Sequence, residues 1–158
     1  MKLNPYLNFN GNAEEAFRFY QSVFGGELTL MKMGDGPGAE NLSESERSMA
    51  MHVSIPIGAD QYLMASDCTG QAGVQLQFGN NNYIAVSPDS RDEADRIFNG
   101  LSAGGMVEMP MADMFWGDYF GSFKDKFGVY WMIIFENSKV ATKMSEDDVP
   151  VFESKSLL

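Results

Sequence analysis

The sequence predicts an α+β fold, two βαβββ modules in tandem whose sheets bound a cleft. Three observations predict it. Glu15-Ala16-x-Arg18-Phe19-Tyr20 lies over Glu93-Ala94-x-Arg96-Ile97-Phe98, a constant offset of 78 residues (15 to 93). Each of these helical stretches ends in a glycine pair, Gly25-Gly26 and Gly104-Gly105. Each half then closes on a strand carrying Tyr-x-Met, Tyr62-Leu63-Met64 and Tyr130-Trp131-Met132. All three in the same order argue for duplication of one strand–helix–three-strand unit. Module 1 spans about 1–68, a Gly/Gln/Asn-rich linker 69–82, module 2 about 83–137 and a tail 138–158, together one domain. In each module a helix covers one sheet face. The other faces are left to curve together around a cleft of the kind that takes small molecules.

The elements follow from local chemistry. Leu3 to Phe9 alternates and reads as a strand, with Pro5 near its start, where an edge tolerates the missing donor. Asn10-Gly11-Asn12 turns the chain, and Asn12 is positioned to cap the next helix. Ala13 to Phe24 is that helix: Ala16, Phe17, Phe19, Tyr20, Val23 and Phe24 form an apolar stripe. Gly25-Gly26 stops it, because glycine enters the left-handed cap conformation without penalty. Glu27 to Met33 reads as a strand, and Gly34 to Ser48 as an irregular surface loop with little apolar content. Met49 to Ile57 alternates, with Met49, Met51, Val53, Ile55 and Ile57 on one face. A Gly58-Ala59-Asp60 turn returns the chain through a hairpin to a strand over Gln61 to Asp67.

The second half repeats the order. Tyr83 to Ser87 is a strand. Ser90, with Glu93 three residues on, opens a helix over Arg91 to Ala103 in capping-box spacing. Strands follow over Met106 to Met111, Gly117 to Lys124 and Val129 to Glu136. Val149 to Phe152 is expected to dock as a short segment.

Composition narrows the function. The chain has 158 residues, 11 Lys and Arg against 22 Asp and Glu, and a formal net charge of −11. Such a balance disfavours phosphate backbones and argues against nucleic-acid partners. No run of about 18 apolar residues suggests a membrane span. No signal-peptide pattern opens the chain, and a cytoplasmic location is expected. With 44% apolar and 13% aromatic residues the sequence can bury a core, so the charge reads as solubility rather than disorder. One cysteine, Cys68, gives no internal disulfide and fits a reducing compartment. One histidine, His52, excludes a metal site needing two or three imidazoles from one chain.

The stretch Asn4-Pro5-Tyr6-Leu7-Asn8-Phe9-Asn10-Gly11-Asn12-Ala13-Glu14-Glu15-Ala16-Phe17-Arg18-Phe19-Tyr20, followed by Val23-Phe24-Gly25-Gly26, resembles the opening of PhnB-like proteins. Phe115-Trp116-Gly117-Asp118-x-Phe120-Gly121, then Asp125-Lys126-Phe127-Gly128-Val129-x-Trp131, resembles the same family's C-terminal motif. The family belongs to the vicinal oxygen chelate superfamily, with glyoxalase I, bleomycin-resistance proteins and extradiol dioxygenases. The resemblance covers about residues 1–137 and implies a glyoxalase-like curved sheet. Sequences of this kind are often labelled ubiquinone-pathway methyltransferases. No glycine-rich loop of the sort a nucleotide-type cofactor needs follows a first strand here.

The superfamily's metal enzymes place four His or Glu ligands on inward-facing strand positions. Carried over, these fall at Pro5, Met64, Tyr83 and Met132. None is a ligand for a hard metal, and thioethers prefer soft ions. The expectation is therefore no metal cofactor, with an atypically bound divalent ion as the alternative. The lining expected instead is apolar and aromatic: Tyr62, Met64, Tyr83, Tyr130 and Met132, with Trp116 as a lid or dimer contact. For the strand residues the competing reading is plain core packing, which the two methionines favour; a large loop aromatic such as Trp116 more often anchors something than hangs free. His52, on the polar face of its strand, is the candidate acid or base, against a plain hydrogen-bonded strand histidine. Cys68 has no second histidine to activate it and reads as inert. Asp113, Asp118 and Asp125 punctuate loops; turn and cap roles compete with a shared cation. The leading expectation is a homodimer that binds a small, mostly apolar ligand without metal. The alternatives are a lyase, isomerase or dioxygenase-type enzyme using an atypical metal or His52, and an interaction module whose acidic surface meets a basic partner.

Overall fold

The computed structural model describes residues 2–69 and 75–137. Eight strands form two four-stranded sheets of one topology, ordered β1-β4-β3-β2 and β5-β8-β7-β6. The first holds β1 (Tyr6–Phe9), β2 (Thr29–Lys32), β3 (Ala50–Pro56) and β4 (Tyr62–Asp67). The second holds β5 (Ile84–Val86), β6 (Met106–Asp113), β7 (Tyr119–Lys124) and β8 (Tyr130–Phe135). In each sheet the first strand runs parallel to the last and the other pairs are antiparallel. This shared order is the duplication read from the sequence. Tyr62-x-Met64 and Tyr130-x-Met132 open equivalent inner strands.

Helix α1 (Ala13–Phe24) buries Ala13, Ala16, Phe17, Tyr20 and Val23, the 3.6-residue stripe expected. Helix α3 (Arg91–Ser102) buries Ala94, Ile97, Phe98 and Leu101. The two helices pack together, α1 against β3 and β4, and α3 against β6, β7 and β8. One core therefore runs through both halves, from Phe9, Val53, Ile55 and Leu63 to Phe123, Trp131 and Ile133. Gly105 shows how tight the junction is. A Cβ there would lie 2.2 Å from the Lys124 carbonyl oxygen, so the turn after α3 has no room for a side chain.

Four details differ from the sequence reading. Asn12 makes no side-chain cap. Asp67 does the work from the end of β4, its Oδ1 accepting from the N–H groups of Gly11 and Ala13. The 34–48 segment is not irregular throughout. It carries 3-10 turns at Met33–Asp35 and Ala39–Asn41 and a short helix, α2 (Glu44–Ser48), opened by a Ser43/Glu46 capping box. The alternation of β3 breaks at Met51. Met31 pairs with His52 and Lys32 with Ala50, so Met51 is the extra residue of a bulge. Ala50 turns inward and Met51 outward. Strand β6 continues to Asp113 and bulges twice, once at Glu108. The expected docked segment, Val149 to Phe152, lies outside the described residues.

Candidate functional site

The face of each sheet turned away from the helices carries the candidate residues. On the first sheet Met64 stands between Tyr6 and Ser54 in register, and Tyr62 is exposed at the strand's start. His52 is one strand further on. Its Nδ1 lies 3.3 Å from the Tyr6 hydroxyl, with ring centroids 5.9 Å apart. Asn8 and Ser66 complete the row, the Ser66 hydroxyl donating to Asn8 Oδ1 at 3.4 Å.

On the second sheet Met132 pairs with Ala85 and Ser122, and Tyr130 pairs with Lys124. Tyr83 meets Tyr130 edge to face, centroids 5.2 Å apart. Its hydroxyl donates to Glu108 Oε2 at 2.9 Å. With the strand order β5-β8-β7-β6, this side chain strides over β8 and β7 to reach β6. Ser122, beneath that bridge, is buried and its hydroxyl lies 3.5 Å from the same carboxylate oxygen. The hydrogen bond to Glu108 holds the Tyr83 phenol neutral to higher pH than a free tyrosine, because ionising it would set two anions side by side.

The structure thus joins Tyr83, Tyr130 and Met132 on one sheet, and Tyr62 and Met64 with His52 on the other. Trp116 stands apart at the β6–β7 turn. It touches Phe115 and Phe120, and its Nε1 donates to Asp118 Oδ2 at 3.0 Å. Phe115 beside it is 96% exposed. The three loop aspartates have separate partners. Asp113 accepts from Arg91 and Asn137, and the guanidinium keeps its carboxyl below the usual range. Asp118 serves Trp116, and Asp125 is buried. Cys68 is half-buried at the end of β4, its N–H donating to the Phe9 carbonyl.

A groove runs between the halves. One part, about 180 Å³, is lined by Tyr6, Leu7 and Asn8 of β1 and by Val129 and Tyr130 across from them. It adjoins a second part of about 250 Å³, bounded by Lys124, Tyr130 and the chain at Phe78-Gly79-Asn80. The two share Phe78, Gly79, Gly128 and Tyr130. Gly128 shapes their floor. It sits at φ +91°, and Phe78 Cδ1 lies 3.3 Å from where a Cβ would project.

Sequence reasoning passed over Glu108 and Lys124. Glu108 is aimed by a bulge, which alternation does not reveal. Lys124 sits in i, i+2 register with Ser122, a signal legible only once the strand's open face is known.

A family model described as 3-demethylubiquinone-9 3-methyltransferase matches residues 1–134. The chain belongs to this PhnB-like family. Protein YjdN of Escherichia coli K12 is 32% identical over 139 residues, 84% of this chain and 94% of that protein. The structure of PA1353 from Pseudomonas aeruginosa is 37% identical with a TM-score of 0.76, covering 86% of this chain and 98% of that one. A PhnB protein from Bacillus cereus is 26% identical, TM-score 0.65, covering 85% and 99%. A glyoxalase/bleomycin resistance/dioxygenase family protein from Burkholderia phytofirmans shares the fold at 11% identity, TM-score 0.60, covering 85% and 97%. The PhnB-like chain is therefore an α+β protein of the glyoxalase/bleomycin-resistance fold. Among the described residues its sheets pair in parallel only at β1/β4 and β5/β8. Among the described residues they offer no doubly wound parallel sheet with a strand-to-helix turn for a nucleotide-type cofactor.

The donor set does not suit a hard divalent ion. Of the four positions that the family resemblance marks, Pro5 has no side-chain donor, Met64 and Met132 offer thioethers that prefer soft ions, and Tyr83 gives its hydroxyl to Glu108. No three His, Cys, Asp or Glu converge among the described residues. No helix there is long and apolar enough to cross a membrane.

Proposed function

We propose that this PhnB-like chain binds a small, mostly apolar molecule in the groove beside Tyr130, without a metal, in the cytoplasm and as a homodimer. The observation that carries this reading is the groove itself, bounded by both halves and walled by Phe78 and Tyr130. Aromatic walls with a few fixed polar groups are what small-molecule sites use. The dimer reading rests on Tyr6, Met31 and Tyr62 of the first sheet and Met106, Val107 and Met109 of the second, all exposed. Exposed apolar side chains on both sheets are what a second copy would cover.

The test uses N-phenyl-1-naphthylamine, an uncharged dye that brightens on leaving water. Saturable binding is expected, weakened about tenfold in Tyr130→Ala, roughly the 1.4 kcal/mol of one lost aromatic wall. No saturable signal refutes the site. Light scattering of the same sample is expected to give about twice 17.5 kDa; a monomer at micromolar concentration refutes the dimer.

The Tyr6–His52 contact favours a second reading, acid–base catalysis on the first sheet. Unchanged turnover of an identified substrate by His52→Ala removes it.

A further inference from the structure

The cations of the described residues are accounted for almost one by one. Lys2 pairs with Asp60, Arg18 and Lys32 with Glu14, Arg91 with Asp113 and Arg96 with Glu93. Arg47 donates to the backbone carbonyls of Leu42 and Glu40. Lys126 lies over the Phe19 and Phe127 rings on the other side of the β7–β8 turn.

Lys124 is set apart by its position. In a chain with twice as many acids as bases it pairs with no carboxylate among the described residues, a trait it shares with Arg47 and Lys126, and unlike them it lines the groove. Its ammonium stands 5.7 Å from the centre of the Tyr130 ring. The acid on the neighbouring strand that could have answered it, Glu108, is occupied by the Tyr83 and Ser122 hydroxyls. Asn80 faces the same space, and Phe78 and Tyr130 supply apolar walls.

The geometry points to an organic anion as the ligand of this groove: a carboxylate carried on a ring or similar apolar body. We infer that Lys124 reads the carboxylate, Asn80 offers an amide donor, and the Phe78 and Tyr130 rings hold the body. This inference rests on the groove being a binding site and adds the charge of what it takes. The chain's overall charge repels anions, so the preference has to come from contact in the groove rather than from long-range attraction.

The experiment compares 1-naphthoate with 1-naphthalenemethanol, ring systems alike apart from charge, by titration calorimetry on the full chain. Naphthoate is expected to bind at least tenfold more tightly than the alcohol. In Lys124→Gln that preference is expected to vanish while the alcohol's affinity stays within twofold, which also reports an intact groove. Lys124→Arg is expected to restore most of the preference. Equal binding of the two probes by the unmodified protein, or a preference that survives in Lys124→Gln, overturns the inference and leaves the groove reading standing. Failure of both probes to bind overturns the two together.

Discussion

Asp125→Ala is expected to destabilise the protein by about 3–5 kcal/mol. The carboxylate is 2% exposed and has four donors. Oδ2 accepts from the Tyr20 hydroxyl at 2.7 Å and from Trp131 Nε1 at 2.8 Å. Oδ1 accepts from the N–H groups of Phe127 at 2.8 Å and Val129 at 3.0 Å. Hydrogen bonds to a charged group are worth about 1.5–3 kcal/mol each, but bonds that share one acceptor do not add, hence the narrower total. Alanine leaves all four donors unanswered, those of Tyr20 and Trp131 fully buried and the Phe127 and Val129 N–H groups partly so. Burial and the adjoining carboxylate also drive the Tyr20 hydroxyl far above its ordinary pKa, so it remains a donor at any pH at which the protein is studied. Urea unfolding checks the prediction: the midpoint falls with an unchanged slope. Trp131 is buried and Trp116 is not, so loss of the contact shows as a red shift of the buried component. Tyr20→Phe, which removes one donor of four, is expected to cost about 1.5 kcal/mol. A cost below 1 kcal/mol for Asp125→Ala would show that packing alone holds α1 to the second sheet.

Asp67→Ala is the second large effect, expected at about 2–4 kcal/mol. Its Oδ1 takes the Gly11 and Ala13 N–H groups at 2.9 and 3.0 Å, and its Oδ2 takes that of Ala50 at 2.8 Å. The carboxylate therefore caps α1 and anchors the start of β3 at once. Each buried N–H left without an acceptor costs about 1–3 kcal/mol. Asn12→Ala, which removes the residue in the N-cap position, is expected to change stability by less than about 0.5 kcal/mol, since that side chain caps nothing. Chemical denaturation of both variants decides the matter. The opposite ranking would return the cap to Asn12.

The contrast between Asn12 and Asp67 shows what a sequence conveys and what it withholds. Both long helices are legible to within a residue, because a 3.6-residue apolar stripe and a terminal glycine pair are local signals. The two sheets are legible because the halves repeat. Asp67 caps a helix 54 residues earlier in the chain, and no local window contains that pairing. The bulges at Met51 and Glu108 are likewise set by the neighbouring strand's register. The short α2 helix is a different case. Ser43-x-x-Glu46 has capping-box spacing, but Gly34, Gly36 and Gly38 and the scarcity of apolar residues give its segment the composition of a loop. For the site, the aromatic pair Tyr83 and Tyr130 follows from alternation. The charges that give it character, Glu108 and Lys124, do not.

The Tyr20–Asp125 contact also sets a schedule. The two residues are separated by 105 positions, and a ribosome adds about 5–20 residues per second. Tyr20 therefore waits roughly 5–20 seconds for its acceptor to be synthesised. Once Asp67 has been added, the first half has its strands and helix in hand but not yet the aromatic surface of Phe127 and Trp131 that covers Tyr20. Each growing chain thus passes through a stage with an uncovered aromatic face, and on a crowded message its nearest neighbours are other unfinished copies of itself.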